Sequence, residues 1–235
     1  MTSRLAECDE LPTTRNVTSL TDTAAQAGEA GTPPSELACL RPRPMPNVTH
    51  SQQREEVMYE SVLQFWFQES SPAQWWKVDP DFDRLIVERF SELHGRATRS
   101  ELFEWRAEPR GRMAEIIVLD QFSRNMYRDN ALAYANDTLA LALAQEAVAA
   151  KADLTLPPEE RVFMYMPYMH SESRVIHEVA ERLFKERAPE SNYDFELRHK
   201  VIIDRFGRYP HRNAMLSRQS TEEELAFLAQ PGSSF

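Results

Sequence analysis

The stretch IIVLDQFSRNMYRDNAL, residues 116–132, decides the fold, because a second stretch, KVIIDRFGRYPHRNAML at residues 200–216, repeats its pattern. In both copies an apolar segment is followed by Asp, Phe and Arg at matching positions. An Asp and an Arg four residues apart lie on one face of a helix, where they can pair. Self-similarity in an otherwise helical chain is typical of helical-repeat architectures. The aligned charged residues are Asp120 with Asp204, Arg124 with Arg208 and Arg128 with Arg212.

Helical signals continue outside the two copies. Asp79-Pro80 is typical of a helix start, since proline loses no hydrogen bond at the first helical position. Residues 113–122 are apolar nearly all round, which favours a central buried helix, with a strand as the alternative for so short a run. An alanine-rich helix is expected over about 130–150. No alternating strand pattern occurs, so the sequence predicts an all-α fold of antiparallel helical hairpins.

Local signals also mark the later helices. Val175 is expected on the apolar face of one helix and Phe195 on that of the next. Gly207 stands where a helix would end in a left-handed glycine. Ser220 with Glu223 fits a capping box at the start of a last helix.

Composition divides the chain in two. Residues 1–52 are poor in aromatic residues and rich in Pro, Thr, Ala, Ser and Glu, which predicts a disordered polar tail. Residues 53–235 are predicted to form a single all-helical domain. The net charge of -10 argues against nucleic-acid binding, and the lack of a long apolar run argues against a membrane span. We expect a cytoplasmic protein without metal or cofactor.

The loop RFGRYPHRN, residues 205–213, concentrates cations in this acidic chain. Arg208 lies four residues from Asp204, so a structural role as cap and ion-pair partner is expected for it. Arg212 has no such acid nearby in sequence. We therefore expect Arg212 to serve a ligand and to contribute little to stability. His211 and Asn213 flank it after an extended Tyr-Pro step, and together they suit an anion.

A second polar segment, MPYMHSE at residues 166–172, offers His170 and Glu172. Imidazole and carboxylate are the usual acid–base groups near neutral pH. The structural alternative is that Ser171 caps the next helix and Glu172 favours its dipole. A metal shared by His170 and His177 is disfavoured, since seven helical residues span about 10 Å.

Taken together, the motifs WWKVDPDFDRLIVERF, LDQFSRNMYR, YMPYMHSE and RFGRYPHRN resemble the bacterial domain-of-unknown-function 924 family over about residues 60–230. The resemblance implies a tetratricopeptide-like, right-handed helical array and brings no established activity. It points to a set of ligand-binding candidates. It also shows three departures, Ser123 where proline is more usual, His177 near a usual glutamine, and Glu115 at a small or apolar position. The candidates are Asp120, Arg124, Asn125, His170, Glu172, Arg208, His211, Arg212 and Asn213.

Three functions are compatible with these residues. The first is a binding module with an Arg/His/Asn-lined pocket for a small anionic ligand or an acidic peptide. The second is an enzyme, possibly a hydrolase, with His170, Glu172 or His211 as acid–base groups. The third is an interaction scaffold in which the motifs are structural. The first two require Arg124, His170, Arg208 and Arg212 to converge.

Overall fold

The computed structural model describes residues 59–233, so the predicted tail at 1–52 lies outside the described residues. Every regular element within 59–233 is helical and none is a strand, which confirms the all-α class. None of the helices in this part combines the length and apolar character needed to cross a bilayer. The domain boundary and the tetratricopeptide-like right-handed arrangement stay predictions.

The helices follow one another with short connections. Consecutive helices α5 to α8 pack against one another, and α3 lies against α5 and α6. Short 3₁₀ turns link several of them, and π-helical segments cover Phe65–Glu69 and Val118–Phe122. The α-helices are α1 (Pro72–Trp76), α2 (Pro80–Thr98), α3 (Pro109–Ile117), α4 (Ser123–Met126), α5 (Asp137–Ala149), α6 (Pro158–Met169), α7 (Arg174–Arg187), α8 (Glu190–Phe206) and α9 (Glu222–Leu228).

The helix termini follow local chemistry. The Asp79 side chain accepts hydrogen bonds from the N–H groups of Asp81 and Phe82, so α2 begins as predicted. Gly207 ends α8 with a φ of 70°, in the left-handed region that glycine adopts at least cost. The last helix has its capping box one residue later than predicted, between Thr221 and Glu224.

The segment 113–122 forms the centre of the core. It is helical throughout and fully buried, which excludes the strand alternative. Helix α3 runs directly into the π-helical segment at Val118, and this wider turn includes Asp120. Single π-helical turns inside α-helices are frequent at functional sites. The burial of Asp120 among apolar neighbours therefore directs attention to its partners.

Two residues that were predicted on apolar helix faces are exposed instead. Val175 is 67% exposed and Phe195 is 48% exposed. The buried faces of α7 and α8 instead include His177 and Glu196, which pair with each other. A polar pair that satisfies itself can occupy a core face, and apolar periodicity does not detect it.

The alanine-rich helix differs from expectation at its start. It begins only at Asp137, after a 3₁₀ turn at Ala131–Tyr134. Tyr134 and Asp137 both contact Arg124, which lies just after the π-helical segment.

Candidate functional site

Asp120 is the buried centre of a polar cluster. Its Oδ1 lies 2.8 Å from Nδ1 of His170 and 3.1 Å from Nη1 of Arg124. Its Oδ2 accepts a hydrogen bond of 2.6 Å from Gln121. Burial raises the pKa of Asp120, but Arg124 and His170 together lower it by more than burial raises it. The net pKa therefore lies well below its usual range. Asp120 is thus a carboxylate at neutral pH.

Asp137, at the start of α5, joins two arginines. Its Oδ2 accepts hydrogen bonds of 3.1 Å from Nη2 of Arg124 and 3.1 Å from Nη1 of Arg212. Its Oδ1 lies 3.0 Å from Nη1 of Arg124, at ion-pair distance but without hydrogen-bond geometry. Two guanidinium groups therefore converge on one carboxylate. Asp137 was not among the predicted site residues, because it lies 75 residues from Arg212 along the chain.

Arg212 is held between two aromatic rings. Its guanidinium carbon lies 4.5 Å from the ring centre of Tyr134 and 4.5 Å from that of Tyr209. The residue is only 5% exposed, and burial, followed by repulsion from Arg124, lowers its pKa. The stacking fixes the plane of the guanidinium group. Arg212 has no acid nearby in sequence, but Asp137 supplies one across the fold.

Two neighbouring nitrogens in this cluster are unsatisfied. Within residues 59–233, neither Nε of Arg212 nor Nδ1 of His211 has a hydrogen-bond partner, and both atoms are buried. Burial lowers the pKa of His211 to about 4, so its imidazole is neutral near pH 7. A buried polar atom without a partner costs about 1–3 kcal/mol. Both nitrogens would gain from a bound polar group.

His170 has one anchored and one open nitrogen. Its Nδ1 faces the Asp120 carboxylate, so Nδ1 carries a proton and donates a hydrogen bond to Oδ1 of Asp120. Its Nε2 has no hydrogen-bond partner among residues 59–233. Burial and Arg124 lower the pKa of His170, while Asp120 raises it in opposition. The ring centre of His199, whose pKa burial lowers to about 3, lies 6.5 Å away.

Arg208 does not join the cluster, so of the four residues expected to converge only Arg124, His170 and Arg212 do so. It forms two hydrogen bonds of 2.6 and 2.8 Å with the buried Glu224 and one of 3.0 Å with the carbonyl of Gln219. The predicted pairing with Asp204 is wrong, because that carboxylate accepts a hydrogen bond of 2.6 Å from Lys200 instead. The structural role expected for Arg208 is thus fulfilled by a different acid. It fastens α9 to the loop that follows α8.

Glu172 and Asn213 organise this loop. Arg218 donates two hydrogen bonds of 2.5 and 2.9 Å to Glu172, which also accepts one of 2.7 Å from the N–H of Tyr209. Burial raises the pKa of Glu172, but Arg218 and the Tyr209 N–H lower it more. Asn213 bonds to Arg218 and to Ser220. While these contacts last, Glu172 is not available as an acid–base group and Asn213 is not available to a ligand.

Asn125 also lies outside the cluster. Its side chain donates a hydrogen bond of 2.8 Å to Asp83, which receives two more, of 2.7 and 2.8 Å, from Arg128. These contacts fasten α4 to α2. The predicted site residues therefore separate into a polar cluster and three structural groups. The cluster consists of Asp120, Arg124, Asp137, His170, His211 and Arg212, with Tyr134 and Tyr209 as its aromatic walls.

Comparison with known proteins gives the same family that the sequence motifs resemble. The sequence profile of the family described as "Bacterial protein of unknown function (DUF924)" matches residues 62–232. The chain belongs to this family. A solved structure of a protein of unknown function from Agrobacterium tumefaciens superposes with a TM-score of 0.71 at 33% sequence identity, covering 74% of this chain and 98% of that one. No curated protein matches the chain significantly.

Two of the residues expected to depart from the family pattern pair with charged or titratable partners in the interior. Glu115 is 1% exposed and accepts two hydrogen bonds of 2.8 Å from Arg106. His177 lies 2.8 Å from Glu196, both fully buried, and its Nε2 lies 2.9 Å from the carbonyl of Ser171. A carbonyl only accepts, so Nε2 is protonated, and Nδ1 shares a further proton with Glu196. Burial raises the pKa of Glu196, while His177 lowers it.

Ser123, the third residue expected to depart from the family pattern, bonds to residues that line a surface cavity. Its hydroxyl donates a hydrogen bond of 2.6 Å to the carbonyl of Leu119 and lies 2.8 Å from Nε2 of His94. Since the hydroxyl proton is used, Nε2 of His94 must be the donor. Asn136 also donates a hydrogen bond of 3.4 Å to this hydroxyl. His94 and Asn136 line a surface cavity of about 320 Å³.

Proposed function

We propose that the chain is a binding module that holds a small anionic molecule at Arg124 and Arg212. One observation supports this most directly: the Nε–Nη2 edge of Arg212 forms no hydrogen bond with any residue of 59–233. That edge is the one with which arginine binds carboxylates and phosphates through two parallel hydrogen bonds. The aromatic rings on both faces of the guanidinium leave its edges as the only direction for such bonds.

The anion would reach the cluster at its partly exposed side. The side chains of Arg124, Asp137 and His170 are 20%, 18% and 14% exposed. So little exposed surface favours a small molecule over an acidic peptide. A cation in such a partly buried site attracts an anion more strongly than one at the surface, because water screens it less.

The test is a titration with a panel of anions: sulfate, phosphate, succinate and citrate. A ligand at 100 times its dissociation constant should raise the free energy of unfolding by about 2.7 kcal/mol. Isothermal titration of the best ligand against Arg124→Gln should show at least tenfold weaker binding. Arg205→Gln is the matched control, because Arg205 lies in the same polar loop but pairs with Glu223 at the surface. The proposal is wrong if no anion binds, or if Arg124→Gln binds like the unchanged chain.

The Asp120–His170 contact supports an acid–base enzyme as the second candidate function. A buried carboxylate that orients a histidine and leaves its Nε2 open is the arrangement of a general base. The other two acid–base candidates are Glu172 and His211. Arg218 engages Glu172, and burial keeps His211 neutral. Once an anion is identified, NMR spectra of it with the unchanged chain and with His170→Gln would test turnover. Chemical conversion of the anion by the unchanged chain, but not by His170→Gln, would favour the enzyme.

A further inference from the structure

We infer that the site takes up one proton when it binds an anion, and that Nε2 of His170 receives this proton. The inference rests on the proposed function and deepens it, because it states how affinity depends on pH. Proton uptake converts the open nitrogen of His170 from an acceptor into a donor that faces the ligand.

The first step is the charge of the empty site. Arg124 and Arg212 contribute two positive charges, and Asp120 and Asp137 contribute two negative charges in direct contact with them. These four charges cancel. A bound anion therefore adds a net negative charge to a largely buried cluster, which is unfavourable unless a positive charge accompanies it.

The second step is the identity of the proton acceptor. Four histidines of residues 59–233 lie in or beside the cluster, and one of them, His177, has both nitrogens engaged by Glu196 and Ser171. Burial holds the pKa of His199 at about 3 and that of His211 at about 4, so both resist protonation near neutral pH. His170 differs because the Asp120 carboxylate lies 2.8 Å from its Nδ1 and stabilises an imidazolium. An anion placed at Nε2 would stabilise it from the other side.

The third step is the surroundings of His170 as a whole. Asp120 and Asp137 favour its charged form, while burial and Arg124 oppose it. The charged and titratable groups that face it from the neighbouring elements are Asp120 of the π-helical segment, Arg124 of α4, Asp137 of α5, His199 of α8, and His211 and Arg212 of the 3₁₀ turn at Pro210–Arg212. In the empty site the opposing effects prevail. A ligand anion adds to the favourable side and raises the proton affinity of Nε2.

The consequence is a linkage between ligand and proton. By reciprocity, an anion that favours the imidazolium binds more tightly to the protonated site. Between the pKa of His170 in the empty site and its higher pKa in the complex, affinity should fall about tenfold for each pH unit gained. Below this range the site is already protonated, and the dependence ends.

The experiment is calorimetric titration with sulfate. Sulfate stays fully ionised at mildly acidic and neutral pH, so any proton taken up on binding is bound by the protein. Titrations in buffers of different ionisation enthalpy give the number of protons taken up, expected to be about one at a pH within the linked range. In His170→Gln, sulfate should still bind, with no proton uptake and an affinity independent of pH. In His211→Gln the uptake should persist.

The outcomes separate the two proposals. Sulfate binding without proton uptake overturns the inference and leaves the proposed function intact. Uptake that persists in His170→Gln overturns the assignment to His170. A complete lack of sulfate binding at every pH overturns the proposed function and the inference with it. If His170→Gln does not fold, the nitrogen chemical shift of Nε2 in the unchanged chain gives the same answer, because sulfate must move it to the value of an imidazolium.

Discussion

Replacement of Arg212 by alanine tests whether the residue stabilises the fold. The side chain is 5% exposed, contacts Asp137 at 3.1 Å and stacks between the rings of Tyr134 and Tyr209 at 4.5 Å each. Alanine removes all three contacts together. Sequence alone predicts almost no loss of stability here, so the substitution distinguishes the tertiary structure from the local pattern.

The magnitude follows from these contacts. Two desolvated cation–π contacts contribute about 1–2 kcal/mol each. A buried charge that loses its partner typically costs about 3–5 kcal/mol. The loss of this ion pair should cost less, because Arg124 still neutralises Asp137. Removal of the unpartnered Nε returns about 1 kcal/mol or more. The free energy of unfolding should therefore fall by about 2–4 kcal/mol.

Urea denaturation followed by circular dichroism measures this loss. With a slope of about 1–3 kcal/mol per molar urea, the midpoint should decrease by about 1–2 M. Arg205→Ala, in the same loop but exposed at the surface, should lose less than about 1 kcal/mol. If the two variants unfold at the same urea concentration with unchanged slope, the enclosed position of Arg212 does not stabilise the protein, and the reasoning is refuted.

Four more substitutions, at three residues, test contacts that hold the fold together. Arg208 lowers the pKa of Glu224 from 4.5 to about 2, so the unfolding free energy should fall as pH decreases through this range, and Arg208→Gln should reduce this dependence in melts at pH 2–6. His177→Gln should stay within about 1 kcal/mol of the unchanged chain, whereas His177→Leu, which leaves Glu196 buried alone, should cost about 3 kcal/mol in urea denaturation; equal losses would contradict the pairing. Ser123→Ala should cost about 1–3 kcal/mol by the same assay, since the buried histidine bonded to it loses its acceptor; no loss would exclude that bond.

Local chemistry made much of the fold predictable. The Asp79-Pro80 start and the Gly207 end each depend on a few consecutive residues, and both hold in the structure. The capping box shows the limit of such signals. Ser220 with Glu223 and Thr221 with Glu224 have the same spacing, and only the contact of Glu224 with Arg208 selects the second.

The site was less predictable because its connections are long-range. Arg124, His170 and Arg212 do come together, and their motifs were recognisable in the sequence. Asp120 and Asp137 hold these three side chains together. The contact between Arg212 and Asp137 spans 75 residues of sequence. An acid in the first turn of a helix is expected for its dipole alone. Nothing in its local sequence indicates that Asp137 binds two arginines.

The three arginines of RFGRYPHRN explain why an acidic chain concentrates cations in one loop. Arg205 pairs with Glu223 at the surface, and Arg208 pairs with the buried Glu224, so both fasten the loop to α9. Arg212 faces the opposite way, into the cluster around Asp137. The first two arginines hold the loop in place, and this leaves the third with a fixed plane and an unoccupied edge. Arg205 and Arg208 thus serve the fold alone, whereas Arg212 contributes both to stability and to the proposed anion site.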